Sequence, residues 1–91
     1  MKDIKKNVFY FLKKIPKGKV TTYKILARQA GSEKMARAVG NILNRNSELI
    51  KVPCHRVVKS DGSVGGYKLG NRKKIALLVA EGIAVENGRI Q

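Results

Sequence analysis

Thr21-Thr22-Tyr23-Lys24-Ile25-Leu26-Ala27-Arg28-Gln29-Ala30-Gly31-Ser32-Glu33-Lys34-Met35-Ala36-Arg37-Ala38-Val39-Gly40-Asn41-Ile42-Leu43-Asn44 is the stretch that decides the fold. Thr21 or Thr22 can cap a short helix over Tyr23 to Ala30, and Gly31 stands where a left-handed residue closes one. Ser32 then caps a further helix whose first turn carries Glu33, a favourable charge for the dipole. Met35, Val39, Ile42 and Leu43 recur at the spacing of a buried stripe. Helix, glycine-containing turn, helix is the outline of a helix-turn-helix. The opposite face, Ala36, Arg37, Gly40, Asn41 and Asn44, mixes small residues and amides around one long cation. Gly40 costs about 1 kcal/mol in a helix interior, so a neighbouring helix or an external surface approaches that face closely. A helix about 10–12 Å across enters the DNA major groove by default, whereas the ~6 Å minor groove requires small side chains or widening. This face suits either groove.

Upstream, Ile4, Val8, Phe11, Leu12 and Ile15 fall at helical spacing, with Asp3 as N-cap and Pro16-Lys17-Gly18 as the stop. Downstream, Asn46 to Lys51 reads as a polar turn, followed by Val57-Val58, a turn at Ser60-Asp61-Gly62 and a loop through Gly65-Gly66-Tyr67. A last helix is expected over Arg72 to Glu81, with Ile75, Leu78 and Val79 inside and Gly82 ending it. Asn87-Gly88 predicts a short C-terminal hairpin within Ile83 to Gln91. The expectation is a mainly α, small helical domain with a winged-helix-like helix-turn-helix.

The composition limits what such a domain does. Ninety-one residues are expected to form one domain, residues 1–91. Twenty Lys and Arg against six Asp and Glu give a net charge of +14, a field that attracts polyanions. Nucleic acid is favoured over a membrane surface, because the chain has no Trp and its lysines are spread along its length. One cysteine excludes an intramolecular disulfide, and no Cys/His cluster offers a metal site, so neither metal nor cofactor is expected. No apolar run approaches ~18 residues, and Met1-Lys2-Asp3-Ile4-Lys5-Lys6 lacks an apolar signal core. The chain reads as cytoplasmic, or nuclear in a eukaryote, and as a monomer.

Val52-Pro53-Cys54-His55-Arg56-Val57 joins the only cysteine to the only histidine. A thiolate is the reactive form of cysteine, and His55 and Arg56 can supply a base and a positive charge. A buried structural cysteine beside a surface histidine would look the same. Glu81 falls in the last turn of a helix, where a carboxylate opposes the dipole, so another contact must favour it. A Cys-His-Glu relay would be one, and a solvated glutamate the alternative.

The chain resembles the O6-alkylguanine-DNA alkyltransferases. The resemblance runs from Ile15-Pro16-Lys17-Gly18-Lys19-Val20-Thr21-Thr22-Tyr23 through Ala36-Arg37-Ala38-Val39-Gly40 and Asn46 to Pro53-Cys54-His55-Arg56-Val57-Val58, then Gly62, Gly65-Gly66-Tyr67 and Glu81-Gly82. It implies that Cys54 accepts the alkyl group of O6-alkylguanine, with O4-alkylthymine as a further lesion. His55, through a bound water, would be its base, Glu81 would hold His55, and Asn46 would brace the active-site turn. Tyr23 would rotate the target nucleotide's phosphate and later hydrogen-bond the flipped guanine. Arg37 would fill the gap in the base stack from a helix in the minor groove, with Thr22, Ala36, Gly40 and Asn41 also on DNA. Pro53, Tyr67 and the backbone around Val57 and Lys68 would line the base pocket. The implied partner is double-stranded DNA, with no cofactor.

Two departures stand out. The additional N-terminal domain usual in the family has no counterpart in these 91 residues, which leaves a separate chain as its source. Lys68-Leu69 is bulkier than the small residues common there, which bears on pocket width. The rival reading is an alkyltransferase-like protein that binds alkylated DNA without repairing it; such proteins usually carry tryptophan at the cysteine position. A plain helix-turn-helix regulator would leave Cys54, His55 and Glu81 unused.

Overall fold

Apolar spacing sets the first layer of the molecule. In the computed structural model, which describes residues 4–45 and 53–91, helix α1 (Ile4–Leu12) turns Val8 and Leu12 fully inward, one turn apart. Lys14 and Ile15 then donate to carbonyls three residues back, and the turn through Pro16 closes with Gly18 at φ 88°, a value glycine adopts freely. The cap expected at Asp3 and the turn expected over Asn46 to Lys51 lie outside the described residues.

Strand β1 (Thr21–Thr22) pairs in parallel with β2 (Val57–Val58), Thr21 opposite Val57 and Thr22 opposite Val58. Thr22 also caps α2 (Tyr23–Ala30), its Oγ1 accepting from the Ile25 N–H at 3.0 Å. Gly31 departs from expectation. Its φ of 164° is extended, not left-handed, because the end of α2 is satisfied otherwise: the N–H groups of Gly31 and Ser32 both reach the Ala27 carbonyl at 2.9 Å, and the Asn7 amide donates to the Ala30 carbonyl at 3.1 Å.

Ser32 caps a single 3₁₀ turn, Glu33–Met35, and not an α-helix directly; α3 (Ala36–Asn44) follows it. Val39 and Leu43 are buried as predicted, while Met35 and Ile42 pack at the edge of the core. Helix α4 (Asn71–Ala80) is turned away from its predicted inner face. Lys74 and Leu78 point inward, and Val79, expected inside, is 53% exposed. Carbonyl oxygens waiting for the Lys74 ammonium, described below, fix that rotation. Strands β3 (Val85–Glu86) and β4 (Arg89–Ile90) form the expected antiparallel hairpin, with Asn87 at φ 54° and Gly88 at φ 75°.

The core has two parts. Val8, Leu12, Leu26, Val39 and Leu43 form the larger with Cys54 and Val57; Val58, Val64 and Leu78 form the smaller. Strand alternation sends Val57 to one and Val58 to the other, so β2 joins them. Burying each such side chain contributes about 1.5–3 kcal/mol. Among the described residues no helix is long and apolar enough to cross a membrane.

Candidate active site

Cys54 opens a one-turn 3₁₀ segment, Cys54–Arg56, that leads directly into β2. Cys54 is 4% exposed and His55 6%. The imidazole places Nε2 2.9 Å from Glu81 Oε2. A carboxylate only accepts, so the ring proton belongs on Nε2 and the lone pair on Nδ1. Nδ1 is buried and has no hydrogen-bond partner in the chain, which leaves it as the nitrogen able to take a proton.

Glu81 follows the last residue of α4 and is held twice. Arg56 donates from Nε to Oε1 at 2.9 Å and from Nη2 to Oε2 at 2.7 Å, while its Nη1 reaches the Ile15 carbonyl at 2.8 Å. The Arg56 bonds first, with those of His55, bring the carboxyl down to about 2 against the opposing effect of burial. These contacts explain a carboxylate at a helix C-terminus. They also revise the part expected of Arg56: its guanidinium is committed to Glu81 and not to the thiol.

A pocket of about 570 Å³ opens beside Cys54. One wall is the face of α3 carrying Ala36, Arg37, Gly40, Asn41 and Asn44; Tyr23 borders another side; Gly66, Tyr67 and Lys68 form a third. The β1–β2 pairing is the reason Tyr23 and Cys54 meet, since Tyr23 directly follows β1 and Cys54-His55-Arg56 directly precedes β2. The Tyr23 hydroxyl donates to the Gly66 carbonyl at 3.3 Å. Burial pushes the Tyr23 and Tyr67 hydroxyls up, and the charge of Cys54 adds to it. Gly65 is required here: its φ is 73°, and a Cβ would lie 3.4 Å from the Tyr23 ring. Gly40 is different, because a Cβ there meets nothing within 4 Å. No neighbouring helix explains that glycine.

Other residues singled out in the sequence lie around this pocket. Thr22 is spent on the α2 cap, and Pro53 and Val57 are buried without lining the pocket. Leu69 is 54% exposed and off the lining, so of the bulky pair only Lys68 borders the pocket. Asn46 lies outside the described residues.

Lys59 and Lys74 were not foreseen. Lys59 borders the pocket just beyond β2. Lys74 is fully buried, its Nζ 2.6 Å from the Val57 carbonyl, 3.1 Å from the Gly66 carbonyl and 3.5 Å from the Tyr23 hydroxyl. Burial pushes the ammonium down to about 8. The only hint in the sequence is its position four residues before Leu78.

Residues 3–83 match the family model of the 6-O-methylguanine DNA methyltransferase DNA-binding domain. A bifunctional methyltransferase/endonuclease of Picrophilus torridus is 47% identical over 88 residues, covering 97% of this chain and 30% of that protein. A methylated-DNA–protein-cysteine methyltransferase of Saccharolobus islandicus is 46% identical over 79 residues, covering 87% of this chain and 50% of its own. The chain therefore spans half or less of the length of these relatives. Among solved structures, S. pombe Atl1 in complex with damaged DNA containing O6-carboxymethylguanine superposes with a TM-score of 0.86 at 29% identity, covering 100% of this chain and 89% of that one.

Proposed function

The chain belongs to the 6-O-methylguanine DNA methyltransferase family through its DNA-binding domain, and from that membership we propose that it repairs DNA by moving the alkyl group of O6-alkylguanine irreversibly onto Cys54. The observation that carries the reading is the position of Cys54 on the wall of the pocket whose opposite wall is the α3 face. A base extruded from the duplex meets the nucleophile while α3 stays on the DNA. Chemistry on a base needs it out of the stack, at a few kcal/mol that an inserted Arg37 and phosphate contacts can offset. Ala36 and Gly40 keep the wall low beside Arg37, which suits the minor groove.

The residues divide the reaction among them. His55 Nδ1 takes the Cys54 proton, directly or through one water, and Glu81 steadies the imidazolium through Nε2. The thiolate sulfur then bonds to the alkyl carbon as the carbon–O6 bond breaks. That electron pair stays on the guanine, which ends neutral by taking up one proton. Tyr23 is the donor placed to assist the departing base, its O–H turning from the Gly66 carbonyl. The product thioether is a poor leaving group and no second cysteine can resolve it, so each molecule reacts once. These residues belong to one domain.

Intact mass tests this. After incubation with duplex O6-methylguanine DNA, the chain is expected to gain one methyl in place of hydrogen, mapped to Cys54, while Cys54→Ser binds DNA and gains nothing. Repeated turnover, or a gain retained in Cys54→Ser, overturns the mechanism. Coverage of nearly the whole of Atl1 favours a second reading, a lesion-binding protein without transfer. A folded wild-type chain that binds the lesion but gains no mass selects it.

A further inference from the structure

We propose that Lys74 is a positioning residue of this site, whose buried ammonium fixes the pocket wall through Val57, Gly66 and Tyr23 and favours the thiolate of Cys54. The proposal rests on the reading of Cys54 as the nucleophile.

The geometry is that of a charge placed deliberately. A lysine four residues before Leu78 on a helix with apolar neighbours could reach solvent by its long stem, as lysines ordinarily do. Here the side chain is fully buried and its three donors face three acceptors. Those acceptors come from three places that must keep fixed relative positions: β2 just after the Cys54 turn, the glycine loop that lines the pocket, and the first residue of α2. The Tyr23 ring also lies under the ammonium, 5.6 Å from its centroid. Among the described residues no carboxylate pairs with it.

An ammonium held only by carbonyl and phenol dipoles keeps its field for other anions. The charged or titratable groups that act on it are Cys54, from the turn before β2, and Lys59, beyond β2, with Tyr23 of α2 in direct contact. Burial pushes Lys74 down to about 8; the charge of Cys54 works against that and Lys59 works with it. Coupling between two titrating groups is mutual, so whatever Cys54 does for the ammonium, the ammonium does for the thiolate. With Arg56 committed to Glu81, Lys74 takes the place first expected of Arg56 as the cation for the thiol. A strut without this electrostatic part would make the same hydrogen bonds and leave Cys54 indifferent to its charge.

The single cysteine makes the test direct, because whole-chain mass reads Cys54 alone. The pH dependence of iodoacetamide alkylation is compared in wild type, Lys74→Met and Lys74→Gln, without DNA, so that failure of DNA transfer and failure of the charge coupling are separate results. The midpoint of thiolate formation is expected to rise by about one pH unit in both variants, with alkylation at pH 7 about tenfold slower. An unchanged midpoint in a variant with native circular dichroism overturns the proposal. If neither variant folds, the wild type decides: the nitrogen-15 titration of Lys74 Nζ is followed before and after S-methylation of Cys54 by methyl 4-nitrobenzenesulfonate. A fall in the Lys74 midpoint on methylation supports the coupling, and an unmoved midpoint refutes it.

Discussion

At the Glu81 corner of the site a carboxylate is gripped by a guanidinium and an imidazole, whereas at the Lys74 corner an ammonium rests on two carbonyls and a phenol. Both corners are shielded from water, yet they answer burial in opposite ways. Glu81 has opposite charge at hand, so its ionised form is favoured and its carboxyl lies at about 2, far from neutrality. Lys74 has only dipoles, so burial dominates and its ammonium lies at about 8, close to neutrality. A compensated charge makes a rigid anchor for His55. An uncompensated one stays responsive to any charge that appears or disappears beside it, and the thiolate of Cys54 disappears when it is alkylated.

Glu81→Leu gives the largest expected effect, because it strands Arg56 and His55 behind a nearly closed surface. Losing one partner of a largely buried pair costs about 3 kcal/mol, read as a lower denaturation midpoint. The difference from wild type depends on acid. Folding lowers the Glu81 carboxyl from 4.5 to about 2, so its contribution is complete above pH 4.5 and fades as pH falls towards 2. Wild type and variant should therefore converge between pH 4.5 and 2; a constant gap would break the account of this corner. The milder Glu81→Gln should slow alkyl transfer while leaving DNA affinity within about twofold.

Lys74→Met carries the comparison to the other side of neutrality with the sign reversed. Folding lowers the ammonium from 10.5 to about 8, so between those values the unfolded chain holds the extra proton and native stability rises with pH. Wild type should gain up to about 3 kcal/mol on Lys74→Met from pH 8 to 10.5, seen in urea melts at both ends. Parallel curves would mean that the ammonium is paid no desolvation penalty by the fold.

The contrast between the corners also marks what was legible in the sequence. The four helices, the hairpin and the neighbours of Cys54 announce themselves through period, caps and turn residues. Glu81 was legible because a carboxylate at a helix end conflicts with the dipole, and that conflict asks for a partner. Lys74 raises no such conflict. It sits in Asn71-Arg72-Lys73-Lys74 ahead of Ile75 to Ala80, a run apolar on every side of the helix, so periodicity could not say which side faces in. Its acceptors are backbone carbonyls, which no side-chain pattern reveals. The β1–β2 pairing was hidden for a related reason: two residues on each strand are too few to show alternation. Gly31 misled because Asn7, distant in sequence, does the work of a left-handed cap.

Gly40→Ala has the smallest expected effect on the fold and sharpens the comparison by touching neither corner. An alanine Cβ at this position meets nothing within 4 Å, and the helix interior favours alanine by about 1 kcal/mol, so the melting temperature should rise slightly. Iodoacetamide reactivity of Cys54 should stay at the wild-type value, since no group bonded to His55, Glu81 or Lys74 is altered. Duplex DNA affinity should nevertheless fall, because the added methyl stands on the α3 wall beside Arg37 where a groove must come close. Stability up, thiol unchanged and affinity down is a pattern that only an external partner at this face produces. A variant that binds DNA as tightly as wild type, at the low salt where phosphate contacts are strongest and at moderate salt alike, would remove α3 from the interface and leave Gly40 without an explanation.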